Sequence, residues 1–201
     1  PTKAGYTFLG WYNGETKFVE GATVPVDGVT YTAKWQINQY TITFDTKGGN
    51  EIAPITLDYN TEITKPADPT KEGYSFAGWD KEIPSNMPAE NMTITASWTV
   101  NQYKVTFKNG DDVVASDEFD YGTVIALPEK NVPTKEGYTL SWEGYTEGMT
   151  VPAKDITFTV KWTANEYTIT FDSNGGSEVK AITQGYETSV TAPADPTRTG
   201  Y

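Results

Sequence analysis

Cysteine is absent from the 201 residues, so neither disulfides nor thiolate metal sites contribute and stability must come from packing alone. Histidine is absent too. That removes the usual general base, the usual metal ligand and the side chain that titrates near neutral pH, and it is the strongest compositional argument against an enzyme. Basic charge is scarce: 15 Lys and Arg stand against 27 Asp and Glu, a formal net charge of −12. Such a surface repels phosphate backbones and anionic lipid, so nucleic acid is excluded as an expected partner and the charge reads as solubility. No apolar run approaches the roughly 20 residues of a spanning helix, so membrane insertion is not expected. The N-terminus, Pro1-Thr2-Lys3-Ala4-Gly5, lacks the apolar core of a signal peptide, and the chain reads as a segment excised from something longer. What is present is apolar mass, 37% hydrophobic and 13% aromatic, enough for a packed core.

That mass is periodic. The string Pro-Thr-basic-x-Gly-Tyr occurs at 1–6, 69–74, 133–138 and 196–201, with steps of 68, 64 and 63 residues. Tryptophans closing an alternating strand stand at Trp35, Trp98 and Trp162, and tyrosines opening the next at Tyr40, Tyr103 and Tyr167, both with steps of 63 and 64. Independent anchors that share one period mark a tandem repeat.

Aligned on these anchors, a unit opens with a strand in which Tyr40, Ile42 and Phe44 alternate with Thr41 and Thr43; Tyr103, Val105, Phe107 and Tyr167, Ile169, Phe171 match it. A Gly-rich turn follows (45–49, 109–111, 172–176) and then a second strand, expected over 52–57, 113–119 and 179–183, which makes a β-hairpin. A turn tyrosine (Tyr59, Tyr121, Tyr186), an aliphatic residue (Ile63, Ile125, Val190) and a proline (Pro66, Pro128, Pro193) lead into the next Pro-Thr string. So many prolines forbid a long regular element, leaving an ordered loop with room for at most a short helix. The closing strand alternates strictly through Val29, Tyr31, Ala33 and Trp35, through Met92, Ile94, Ala96 and Trp98, and through Ile156, Phe158, Val160 and Trp162. Its apolar face must be buried.

Length variation concentrates between Trp11, Trp79 or Trp142 and the following Pro25, Pro88 or Pro152, at 14, 9 and 10 residues. Variable loops lie on the surface, which makes this tip the place for unit-specific contacts. Four residues separate each closing tryptophan from the next opening tyrosine, so neighbouring units should form a semi-rigid rod. Cuts at these junctions give complete repeats at 38–100 and 101–164, the C-terminal part of a repeat at 1–37 and the N-terminal part of one at 165–201. A unit this small buries only about 60% of its unfolded surface, and half a unit should not be stable alone. Head-to-tail pairing of the two halves between chains is therefore an expectation.

Candidate chemistry is sparse. The Asp-containing Gly-Gly turns and Asp111-Asp112 offer one or two carboxylates each, short of the six to eight oxygens calcium requires, so no metal site is assigned. Acid pairs such as Glu51 and Asp58 do not recur between units, and no catalytic residue or cofactor is expected. Trp35, Trp98 and Trp162 continue an apolar face and read as core. Trp11, Trp79 and Trp142 have weaker periodic support and are the candidates for an exposed, partner-binding role.

The assembled pattern, Tyr-x-Ile-x-Phe, Gly-Gly, Tyr, Pro-x-x-Pro-Thr-Lys-Glu-Gly-Tyr-x-Phe-x-Gly-Trp and Ala-x-Trp, resembles the Listeria/Bacteroides repeat, also known as the internalin B-repeat, over essentially the whole chain, most clearly at 69–79. In the third copy, Tyr138-Thr139-Leu140-Ser141-Trp142 is one residue shorter and replaces the Gly before Trp. The resemblance implies a mainly β chain of tandem small β-grasp-like repeats, about four strands each, in secreted or cell-wall-attached bacterial proteins. It brings no catalytic residues. Two roles fit: a semi-rigid spacer or stalk, and an adhesive module binding a host or matrix protein or glycan through variable loops.

Overall fold

The alternation of β-branched or aromatic residues with threonine builds strands throughout the computed structural model, which describes residues 1–200 and contains no helix among them. By its internal contacts the chain divides into two units, one from Pro1 to Asn101 and one from Gln102 onward.

In the first unit, β1 (Tyr6–Asn13), β2 (Thr16–Lys17) and β3 (Thr32–Ile37) form a three-stranded antiparallel sheet in the order β2-β1-β3. A four-stranded sheet follows from β4 (Gln39–Asp45), β5 (Ile55–Asp58), β6 (Tyr74–Trp79) and β7 (Met92–Val100), ordered β5-β4-β7-β6. Its first and last strands lie side by side and parallel, in the register Ile42 to Met92 through Asp45 to Thr95. The second unit repeats this with β8 (Gln102–Asn109), β9 (Asp112–Asp120), β10 (Tyr138–Glu143) and β11 (Ile156–Ala164), in the order β10-β11-β8-β9. It ends in a hairpin of β12 (Glu166–Ile169) and β13 (Ile182–Gly185).

A parallel pair needs a crossover, usually helical. Here the connection carries two further strands of the sheet and, among the described residues, no helix. Two loop segments pair above the sheet, with Ile63 N donating to Ser85 O and Met87 N to Thr61 O, each at 2.8 Å. The second unit matches them with Ile125 N to Met149 O and Val151 N to Thr123 O, also at 2.8 Å. This short ladder satisfies backbone groups a helix would satisfy internally, and presses Ile63 and Met87, or Ile125 and Val151, onto the core. Each four-stranded sheet thereby covers one core, built on Ile42, Phe44 and Ile94 in the first and on Val105, Phe107 and Phe158 in the second.

Some boundaries differ from the sequence reading. The second strand starts later than expected in two copies, at Ile55 and Ile182, and the long tip after Trp11 forms the short strand β2 rather than a plain loop. The expected closing strand through Val29 and Tyr31 begins only at Thr32. In the complete repeats, the residues equivalent to 29–32 are those that pair with a parallel neighbour, and 1–37 contains no strand to supply one.

Candidate functional site

The Pro-Thr-basic-x-Gly-Tyr string folds as a turn in which Tyr6 N, Tyr74 N and Tyr138 N donate to Lys3 O, Lys71 O and Lys135 O, each at 3.1 Å. The lysine then lies over its own tyrosine ring, at 3.8, 4.3 and 3.7 Å from the centroid, worth roughly 0.5–1 kcal/mol in exposed settings. The glycine has φ near 75° in all three, as the third position of a type II turn demands. The fourth tyrosine of the string, Tyr201, lies outside the described residues.

That glycine has a second task. The Tyr59 ring sits flat against Gly5, so that a Cβ there would fall 2.1 Å from the ring's Cγ; Tyr186 sits on Gly137 in the same way, at 2.3 Å. Each seated ring also meets the tyrosine of the string edge-on, Tyr6 with Tyr59 at 6.0 Å and Tyr138 with Tyr186 at 5.8 Å between centroids. Such pairs contribute roughly 0.5–1.5 kcal/mol beyond area. One asparagine fastens the arrangement: Asn38 N donates to Gly5 O, and Tyr59 N donates to Asn38 O; Asn165 N donates to Gly137 O, and Tyr186 N to Asn165 O. The side chain joins in, Asn38 Oδ1 accepting from Thr7 Oγ1 at 2.6 Å and Asn165 Oδ1 from Thr139 Oγ1 at 2.5 Å. Asn101 is held alike, its N donating to Gly73 O and its Oδ1 accepting from Ser75 Oγ at 2.6 Å.

This clasp binds one repeat to the next, since Gly5 precedes the junction at Asn38 and Tyr59 follows it, as Gly137 and Tyr186 flank Asn165. The expected four-residue linkers shrink to that single asparagine, because strands run up to it on both sides. Glu136 raises the Tyr186 phenol above its ordinary value, with desolvation, Glu187 and the neighbouring tyrosines adding to the effect.

The candidate tryptophans are placed unequally. Trp142 is 7% exposed and meets Phe107 at 4.8 Å; it is a core residue with no face left for a ligand. Trp79 is half-buried against Phe44 and Phe76, at 5.4 and 5.3 Å. Trp11 is 42% exposed beside Phe8. Trp79 and Trp142 both face the core of their repeat although β6 carries a bulge, Phe76 to Gly78, and β10 has none; β1 carries the same bulge, Phe8 to Gly10, before Trp11. The shorter third copy has lost the bulge residue, so Leu140 and Trp142 keep one face by simple alternation. Trp98, expected in the core, instead covers the Gly-Gly turn: its Nε1–H donates to Thr46 O at 2.8 Å and its ring lies where a Cβ on Gly49 would go.

The sequence model of the Listeria-Bacteroides repeat domain matches residues 1–34, 40–100, 103–161 and 167–201. The chain belongs to the Listeria-Bacteroides repeat family. Among similar proteins, one from Evansella cellulosilytica described as a Gly-rich membrane protein is 33% identical over 99% of this chain and 26% of its own length. A second membrane protein of that organism is 35% identical over 86% of this chain and 28% of its own. Internalin H of Listeria monocytogenes is 40% identical over 50% and 20%. The chain thus spans about a quarter of the length of the curated relatives it matches. A solved structure of streptococcal high identity repeats in tandem, domains 3-4 of a cell surface protein, is 21% identical over 62% of this chain and 96% of that one, with a TM-score of 0.23, too low to speak for a shared fold. In the copies at 1–6 and 133–138 of this Listeria-Bacteroides repeat chain, the lysine of the signature string steadies the turn, its glycine receives the next repeat's tyrosine and its own tyrosine flanks that ring.

The clasp was only partly readable. The glycine and both tyrosines stood out as recurrent, but their meeting across the junction did not. The missed residue is the asparagine, and its signal was available: Asn38, Asn101 and Asn165 recur at the steps of 63 and 64 that mark the other anchors.

Proposed function

We propose that the chain is a non-catalytic spacer, a semi-rigid stalk segment of a bacterial cell-surface or wall-attached protein. The observation that carries this reading is the clasp, built twice from the same residue types at equivalent positions, Gly5 with Tyr59 and Gly137 with Tyr186. A chain selected only to keep its repeats folded needs no glycine shaped to seat a neighbour's ring. The descriptions of two relatives as membrane proteins support a surface setting. Amide relaxation tests the reading: strands within 6–37 should tumble with those within 39–100, and Gly5→Ala should let them move apart. Independent tumbling in the unaltered chain would overturn it, as would turnover in a screen against glycans and peptides.

The adhesive alternative draws on the tip after Trp11, the longest of the three, where Phe18 and Tyr31 meet edge-on at 5.1 Å with Phe18 exposed. Saturable binding of the chain to host cells or matrix, abolished by Phe18→Ala with the fold intact, would favour that reading over the spacer.

A further inference from the structure

The second complete repeat leaves one sheet edge bare. β9 lies at the end of the order β10-β11-β8-β9 and pairs with β8 alone. Its register slips once, between Phe107 and Lys108, and otherwise runs unbroken from Ala115 opposite Phe107 to Asp120 opposite Gln102. Among the described residues, 112–119 take part in no backbone hydrogen bond outside that pairing, so alternate N–H and C=O groups along the outer side face solvent. The first complete repeat handles the same place differently. There the chain leaving the Gly-Gly turn is held by the signature string, Asn50 N donating to Thr70 O at 2.9 Å and Thr70 N to Asn50 Oδ1 at 2.5 Å, and only Ile55–Asp58 form a strand. The tight turn at Gly110 and Asp111 removes that detour and lengthens the strand to nine residues.

The residues along this edge do little for the repeat itself. Cross-strand partners share a face, so Ala115, Asp117 and Phe119 lie on the side of Phe107, Val105 and Tyr103, which face the core. Asp117 stands where the first complete repeat has Ile55, which packs on its core. An exposed aspartate in that place gives up burial, and it recovers nothing within the chain: among the described residues Asp117 forms no ion pair and no side-chain hydrogen bond. Glu118, on the opposite face, stands across from Lys104 without an ion pair. β9 as a whole carries Asp112, Asp117, Glu118 and Asp120 and no lysine or arginine. Pairing with β9 of a second copy therefore sets acid against acid, which is unfavourable across a ladder. The same charges complement a cationic strand.

We propose that the edge of β9 at 115–120 takes an extended lysine- or arginine-rich segment of another protein as a fifth strand of the sheet. Backbone hydrogen bonds along the open edge supply the affinity. Charge supplies the choice of partner: a cationic side chain on the core face meets Asp117, and those on the opposite face meet Glu118 and Asp120, whose Oδ1 accepts from Gln102 Nε2 at 2.9 Å. Phe119, 39% exposed on the face of Asp117, offers an apolar contact to the stem of a lysine or arginine. Such a partner attaches along the flank of the second complete repeat, and the spacer reading stands whether or not that edge is filled.

The probe is a capped peptide of lysine, valine and threonine, matched to the nine residues of β9 and titrated into the isotope-labelled chain at low salt. Saturable shifts should be confined to β8 and β9, with the amides of 115–120 exchanging about tenfold more slowly in the bound chain. Proline at two adjacent uncharged positions of the peptide keeps its charge, removes a donor on each of its edges and should weaken binding about tenfold. Asp117→Asn should weaken the lysine peptide about threefold with the fold unchanged, since Asp117 has no partner within the chain. Glutamate in place of each lysine should abolish the shifts. No saturable shift up to millimolar peptide, equal binding of the proline form, or an unmoved affinity in Asp117→Asn overturns the proposal and leaves the acids as a guard that keeps the edge bare.

Discussion

The complete repeat at 38–100 and the half-repeat at 165–200 carry nearly the same residues in their opening hairpins, and only one of them has a core. Tyr40, Ile42 and Ile63 lie against Phe44, Met87 and Ile94; their counterparts Tyr167, Ile169 and Val190 are all exposed. The strand pattern is the same and the hairpin forms in both. Local sequence therefore specifies the hairpin and its face, while burial depends on the closing hairpin that follows in the chain. The repeat behaves as two halves welded along one parallel seam. Each half borrows stability from its neighbour, as repeat proteins do at a larger scale.

The largest effect should come from truncating the buried member of an equivalent pair. Ile42→Ala should cost about 2–5 kcal/mol, read by hydrogen exchange across β4 and β7. Ile169→Ala in dilute solution should cost under about 1 kcal/mol, because a side chain still touching water loses little transfer free energy. Equal losses at the two sites would break the contrast and show Ile169 covered.

Next in size is the clasp that ties half-repeat to complete repeat. Gly137→Ala forces a non-glycine residue to φ near 75°, about 1–2 kcal/mol, and also expels the Tyr186 ring. Gly110, in the turn between β8 and β9, has φ of 61° with no atom near the position of a Cβ, so Gly110→Ala carries the backbone strain alone. Both should destabilise β8 to β11 comparably by hydrogen exchange, and only Gly137→Ala should speed exchange in β12 and β13. Equal protection of that hairpin in the two variants would remove the clasp from the account.

What could be read from sequence divides along the same line between local and non-local. Hairpins, turns and the faces of Ile42, Val105 and Phe158 follow from alternation and turn residues within a few positions. The tryptophans of the Gly-Trp string resisted because the bulge between Phe76 and Gly78 breaks period two, so a core ring looked out of phase. Comparing copies resolves it, since a deletion that keeps Trp142 on the core face requires an extra bulge residue in the others. The clasp resisted for another reason: Gly5 and Tyr59 belong to different repeats, and no local pattern announces that a glycine will receive a ring from beyond the junction. Trp98 looked like core by parity, but the strand outruns the core and the Trp98 ring lands on the turn.

Trp98 supplies a smaller, sharper contrast. Trp98→Phe keeps an aromatic ring beside Phe76 and deletes the donor to Thr46 O, which should cost about 0.5–1.5 kcal/mol in exchange stability of the 45–49 turn. Trp35→Phe in the half-repeat has no such acceptor in its own repeat and should change the dilute chain little.

The finest comparison is between the two Gly-Gly turns. In both, a backbone N–H two residues on donates to the aspartate, Lys47 N to Asp45 Oδ1 at 3.1 Å and Asn174 N to Asp172 Oδ1 at 2.8 Å. Only the first adds charge, with Lys47 Nζ 2.8 Å from Asp45 Oδ2. The hydrogen bonds from Lys47 hold the Asp45 carboxyl below its ordinary value of 3.8, and the same carboxylate raises the Lys47 ammonium above 10.5. A carboxyl lowered on folding contributes stability above its unfolded value and loses it as pH falls through the folded one; the raised lysine contributes below its unfolded value and loses it as pH rises through the folded one. The pair is thus intact between those limits and fails at both extremes. Because both side chains remain open to water, its loss should leave unfolding unchanged within error, and the readout is spectroscopic. The Asp45 side-chain carbon resonance should titrate below the ordinary carboxylate range, and Lys47→Asn, which copies the other turn, should move that midpoint upward without disturbing Gly48 or Gly49. An unmoved midpoint would assign the shift to the turn's backbone donor alone.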